Sequence, residues 1–246
     1  NYIFRDVILV LNYVDYSLKN LSGFKKLNGS QLVKENITYI INSLKSEINE
    51  TQKDKTIIHI FNVKYLLDKK EIENLPIGLF GNFYSHELSF FLIGNNDYKN
   101  LINIVQNCNL KIKKIISKDF LKGSYIVNKN SNLETFFKIE IDKKKSHIFF
   151  FENSSLKFIE DFKFGSDLIL NDISKVTGIK KENVINILNE IDFSKELGEN
   201  DLIEKKYFLE KSYRKIKKKL LLEIADARIQ EIAEILLTKN SNISSF

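Results

Sequence analysis

The chain contains no methionine and no tryptophan, and only one proline and one cysteine among its 246 residues. Without a methionine, residue 1 is not expected to be a translation start, so the sequence reads as a piece of a longer protein. The lone thiol, Cys108, excludes a disulfide within the chain and fits a reducing cytosol. It ends the apolar run LINIVQNCNL (101–110), which predicts a buried thiol rather than a nucleophile. No apolar run approaches the roughly 18 residues of a membrane span. The first residues also lack a cationic region and a small-residue cleavage site, so a soluble chain is expected. Glycine is scarce, and neither a P-loop nor a dinucleotide-binding pattern occurs. His59, His86 and His147 are far apart and have no clustered ligands beside them, which argues against zinc. No Ser-His-Asp or Cys-His arrangement is recognisable.

Apolar residues make up 43% of the chain, enough for a substantial core. The formal charge of +6 reads as a lysine-rich solvated surface, with contact to nucleic acid or an anionic membrane as the alternative. Val7–Asn12 is a β-rich run that the stretch to Leu27 can pair with. Ser30 is a candidate cap for a helix with apolar positions at Val33, Ile37, Ile40, Ile41, Leu44 and Ile48. Thr56–Asn62, Lys64–Asp68, Ser85–Ile93 and Lys111–Ile116 read as strands, and Leu75–Gly81 as a structured turn. Asp97 is placed to cap a helix over Tyr98–Cys108, a short helix or turn follows from Lys118, and Asn128–Asn132 reads as a linker. Phe137–Ser174 reads as three strands followed by a Gly-Ser step into a helix. A second helix is expected from Lys181 and a long one from about Glu204 to Leu237. The sum is a mixed α/β (α+β) protein.

Two features carry candidate chemistry. Gly165-Ser166-Asp167 stands at a strand-to-helix junction, where glycine lets backbone approach a ligand and helix amides face an anion. Lys211–Lys219 holds six cations in nine residues, of which a helix would display Lys211, Arg214, Lys215 and Lys218 on roughly one face. A solvated face of a packed helix is the plainer reading of that cluster than nucleic acid or acidic lipid, and no nucleic-acid partner is expected. Arg228 and Glu231 are spaced for an i,i+3 ion pair.

These segments resemble FtsA, the actin-like bacterial cell-division family. TIIHIFNVKYLLD (56–68), LPIGLFG (75–81), the strand over Leu110–Ser117, the hairpin Phe137–Leu156, FGSDLILNDIS (164–174) and LLEIADARIQEI (221–232) are similar to family motifs and occur in family order. The resemblance implies an actin-like, ribonuclease H-like ATPase fold. It makes residues 1–94 the inserted subdomain, 95–134 the end of the first lobe, 135–166 the start of the second, and 167–246 its outer subdomain. It places a phosphate loop before residue 1 and an amphipathic membrane helix after Phe246.

The implied activity is to tether FtsZ filaments to the inner face of the cytoplasmic membrane at the division site. Self-association into polymers and recruitment of later divisome proteins belong to the same implication. Arg228 and Glu231 would contact the FtsZ C-terminal tail. Ser146 and Gly165 would lie at ATP and magnesium, with Glu140 toward magnesium-bound water. The family's phosphate hairpin carries three glycines where this chain has Asp142, Lys143 and Lys144. Their side chains obstruct a phosphate cradle, so weak or absent ATP hydrolysis is expected. The alternatives are a pilus-assembly protein of the PilM type and an active actin-superfamily ATPase.

Overall fold

A computed structural model describes residues 5–12, 15–130, 132–192, 198, 200–208, 213–241 and 243. The chain divides into two compact units, one of Asn1–Lys138 with Phe149–Glu160, the other of Ile139–Ile148 with Asp161–Phe246. The architecture is mixed α/β.

The first unit is built on an antiparallel sheet whose order is β2 (Tyr16–Lys26), β5 (Phe83–Gly94), β3 (Lys55–Leu67) and β4 (Lys70–Ile72). Strand β5 is paired on both edges and buried on both faces. Its period of two divides its residues. Tyr84, Leu88, Phe90 and Leu92 join one core, and Phe91 and Ile93 join the other. Helix α1 (Lys34–Thr51) covers the first face with Ile37, Ile40, Leu44 and Ile48, the 3.6-period stripe read from the sequence. The helix can approach β2 closely because Gly23 lies beneath it. A Cβ there would stand 2.4 Å from Ile40 Cγ2.

Strand β1 (Asp6–Leu11) does not pair with the stretch to Leu27. It pairs in parallel with β6 (Lys111–Ser117), while β2 takes the edge beside β5. The β3–β4 connection has positive φ at Asp68 and Lys69, the geometry of a two-residue hairpin turn whose twist matches its strands. Ser30 does not cap α1. Its hydroxyl donates to the Leu27 carbonyl, and the helix opens at Val33, whose amide donates to Asn36 Oδ1 (3.0 Å). Helix α2 (Asn95–Asn107) begins before Asp97, which lies in its first turn. Cys108, expected to be buried, is exposed; α2 reaches the core only with the partly buried Tyr98 and Leu101, and none of its residues is fully buried. Helix α3 (Lys118–Lys129), capped by Ser117, absorbs Asn128 and Lys129 of the expected linker; Ser131 lies outside the described residues.

A sheet of β7 (Phe136–Ile141), β8 (Ser146–Glu152) and β9 (Ser155–Phe162) follows, in that order. The second unit then adds α4 (Asp167–Thr177), α5 (Lys181–Glu190) and α6 (Lys218–Ala233). Ile173, Val184, Ile187 and Leu221 form the centre of their shared core. Helix α4 stops at Gly178, whose φ of 70° is the left-handed geometry of a helix C-terminus.

The long helix expected from Glu204 is broken. A 3-10 turn occupies Lys205–Phe208, residues 213–217 are not helical, and α6 starts at Lys218 before widening to a π turn over Glu234–Thr238. Pairing explains the interruption: Ile203 N–H donates to Ile216 O (2.8 Å) and Lys218 N–H to Asp201 O (2.7 Å). The basic cluster is therefore no helix face over Tyr213–Lys217, and Lys211 lies outside the described residues. Among the described residues no helix is long and apolar enough to cross a membrane.

Candidate functional site

The predicted site residues lie at two places in the second unit. The first is the junction between the β7–β8 hairpin and α4. The turn Asp142–Lys145 is closed by Asp142 N–H donating to Lys145 O (2.9 Å). Buried Gly165 sits against its main chain. A Cβ at Gly165 would lie 2.1 Å from the Asp142 carbonyl oxygen and 2.8 Å from the Lys143 carbonyl carbon. Only glycine permits that approach.

The contact engages the opening of α4. Ser166 N–H donates to Asp142 O and Asp167 N–H to Lys143 O, each at 2.9 Å. The next two amides turn inward, Leu168 to Gly165 O and Ile169 to Ser166 O, each at 3.1 Å. The four amides that a helix start would offer to an anion thus all have carbonyl partners.

Ser146 is fully buried, and its hydroxyl donates to Phe164 O (2.8 Å). The Asp167 carboxylate stands in the first turn of α4, 3.0 Å from Lys181 Nζ. The lysines 143, 144 and 145 are exposed. The start of α4 therefore has no free amide to offer a nucleotide phosphate. Carbonyl oxygens and a carboxylate occupy the positions where an anion would need donors. Among the described residues no group of three or more His, Cys, Asp or Glu side chains is arranged to hold a metal ion.

His147, read from sequence as an isolated strand residue, joins this junction from β8. Its Nδ1 is 2.7 Å from Asp161 Oδ1, and its Nε2 is 3.7 Å from Asp142 Oδ2. Asp161 lies near the end of β9, so the pairing forms only when β8 and β9 align. That is why sequence spacing gave no sign of it.

The second place is on α6. Arg228 Nη1 donates to Glu231 Oε2 (2.6 Å), the expected i,i+3 pair. Its Nε also donates to Asp172 Oδ2 on α4, which sequence reasoning left out. Asp172 belongs to the same run as Gly165, and its link to Arg228 appears only through the packing of α4 on α6. The bond to Asp172, with the charge of Glu231 behind it, holds the guanidinium above its ordinary pKa, so it is a fixed cation. Arg228 is 27% exposed and Glu231 is 50% exposed. Ile229, next in sequence to Arg228, is also exposed, so this part of α6 carries both a guanidinium fork and apolar surface.

No protein-family model matches the chain. It is similar to the cell division protein FtsA of Escherichia coli K12, at 17% identity over 231 residues, covering 93% of this chain and 54% of that protein. It is also similar to the cell division protein FtsA of Buchnera aphidicola subsp. Acyrthosiphon pisum, at 20% identity over 181 residues, covering 74% of this chain and 43% of that protein. The chain spans about half the length of the curated relatives it matches. Among solved structures it matches a chain of the PilM-PilN type IV pilus biogenesis complex, with a TM-score of 0.45 and 8% identity over 76% of this chain and 51% of the other.

Proposed function

We propose that this chain is part of a divergent FtsA-like cell-division scaffold that binds the C-terminal tail of FtsZ on helix α6. The observation that carries this reading is the similarity to the E. coli cell division protein along 93% of the chain. It runs through the strands, the hairpin and the Arg228 helix in one order. On this assignment residues 1–94 are the inserted subdomain, 95–134 close the first actin-like lobe, 135–166 begin the second, and 167–246 are its outer subdomain. The protein works at the inner face of the cytoplasmic membrane, through a membrane segment outside residues 1–246. It associates with copies of itself and with later divisome proteins.

The tail-binding role falls to Arg228 and Glu231. Arg228 is held by Asp172 from behind and keeps part of its fork at the surface. A carboxylate on the tail can pair with that fork while Ile229 meets an apolar tail residue. The reading is one of binding rather than catalysis, and what supports it is that the amides at the start of α4 are already bonded within the chain.

The test is the affinity of the full-length protein for an FtsZ tail peptide. Arg228→Glu reverses the charge that the tail meets, and we expect an affinity loss of at least ~10-fold, about 1.4 kcal/mol. Failure of the parent protein to bind the peptide overturns the assignment. Unchanged binding by the variant removes Arg228 from the interface.

A further inference from the structure

We infer that the Asp142–Lys145 turn is a built-in substitute for a bound phosphate, which closes the hairpin onto α4 without nucleotide. That a phosphate would lie at this hairpin rests on the family resemblance, while the closure rests on the hydrogen bonds of the junction and is read by exchange rather than by peptide binding, so the two can fail separately.

An ordinary helix start is completed by the side chain of its own cap residue. Here Ser166 makes no side-chain cap bond. The first two donors instead meet main-chain carbonyls from a turn 24 residues earlier in sequence, Asp142 O for Ser166 and Lys143 O for Asp167. The positive end of a helix attracts an anion. In this chain two carbonyl oxygens and the Asp167 carboxylate answer that field.

Gly165 makes the closure possible, because any Cβ would overlap the Asp142 carbonyl. Ser146 fastens the other side of the hairpin by donating to Phe164 O, immediately before that glycine. The contacts come from the main chain of residues 142 and 143, so they do not depend on the lysine side chains. The lysines extend into solvent and take no part in the closure. A hairpin held this way stays fixed to α4 whatever nucleotide is present. Helix α4 also carries Asp172, which orients Arg228. The closure therefore steadies the helix that positions the exposed guanidinium.

Amide hydrogen exchange on the full-length protein tests this. Ser166, Asp167, Leu168 and Ile169 are expected to be protected in plain buffer, with rates changing less than about twofold in millimolar Mg-ATP or inorganic phosphate. Rapid exchange without ligand, slowed ~10-fold or more by Mg-ATP, overturns the inference. In Gly165→Val the Ser166 and Asp167 amides are expected to exchange at least ~10-fold faster. That variant can fail to fold, so the double variant Lys143→Gly, Lys144→Gly supplies the second arm. Because no lysine side chain takes part in the closure, which rests on the Ser166 and Asp167 amides with the Ser146 and Ser166 hydroxyls, it should keep the protection and gain no response to Mg-ATP. Protection acquired only with Mg-ATP in that variant shows that the side chains, and not the carbonyls, kept phosphate out.

Discussion

The Gly165 junction and the Arg228 clamp lie in the same unit, and the same family resemblance singled them out. They are nevertheless made of different atoms. At the junction the partners are mainly main-chain amides and carbonyls, joined by the Ser146 and Ser166 hydroxyls. At the clamp they are a guanidinium and two carboxylates. A side-chain site announces its donors and acceptors in the residue names. A main-chain site does not, because every residue carries the same two groups.

The replaced glycines at 142–144 raised the expectation that a phosphate cradle is obstructed. They gave no sign that the turn's own carbonyls had taken over the amides. The comparison can be pressed hardest at Gly165. An added Cβ would meet a backbone oxygen at 2.1 Å, which cannot move without breaking the bonds from Ser166 and Asp167. Two net hydrogen bonds and the accompanying strain make Gly165→Ala cost more than about 3 kcal/mol. Gly23 is the control. Its added Cβ would meet the Ile40 side chain at 2.4 Å, and a side chain can change rotamer. Gly23→Ala should therefore cost about 1 kcal/mol. Denaturant midpoints of the two variants measure the difference. Equal losses would mean that the turn is free to relax and that its contact with α4 is incidental.

The same contrast governs what sequence could show of the fold. The alternation of β5 and the apolar stripe of α1 were readable because their cores repeat every 2 and 3.6 residues. The pairing of β1 was not. A short apolar strand can join any open edge, and only the parallel approach of β6 decided it. The continuous helix over 204–237 failed for a related reason. Its apolar positions at Tyr213 and Ile216 fit a helical period, but the main chain of 201–203 pairs with 216–218 and holds that stretch out of the helix. Cys108 was misplaced because α2 has a well-formed apolar stripe that is only half covered. Of the candidate sites, the Arg228–Glu231 pair was legible from spacing. Asp172 required the α4–α6 packing.

Titration separates the two kinds of contact further. The bonds from the Ser166 and Asp167 amides contain no ionisable group, and His147 with Asp142 and Asp161 lies beside them rather than within them, so those two bonds should hold from pH 7 to pH 4.5. The first unit behaves differently, because His86 is buried there at 1% exposure. Its neutral ring donates through Nε2 to Asn62 Oδ1 (3.0 Å), and its Nδ1 has no partner among the described residues. Burial pushes its pKa down to about 4 from 6.5. The folded value lies below the unfolded one, so between these pH values the unfolded chain binds the extra proton. Stability from this group is complete above pH 6.5 and is lost as pH falls toward 4, by up to about 3 kcal/mol. Hydrogen exchange at pH 7 and pH 4.5 should show opening of β3 and β5 before the α4 amides respond. His86→Gln should flatten the dependence. Equal acid sensitivity of both regions would break the distinction.

The smallest expected effect belongs to the clamp. Arg228 and Asp172 are partly exposed, at 27% and 21%, and water screens much of their attraction. A double-mutant cycle with Arg228→Ala and Asp172→Ala should return a coupling of only about 1 kcal/mol. Its value lies in a second readout. If Asp172 orients the guanidinium, Asp172→Asn should weaken binding of an FtsZ tail peptide although it leaves Arg228 and its charge in place. A purely structural pairing would lower stability by the same small amount and leave peptide affinity untouched. The same substitution therefore separates a clamp that positions a binding residue from an ordinary ion pair between two helices.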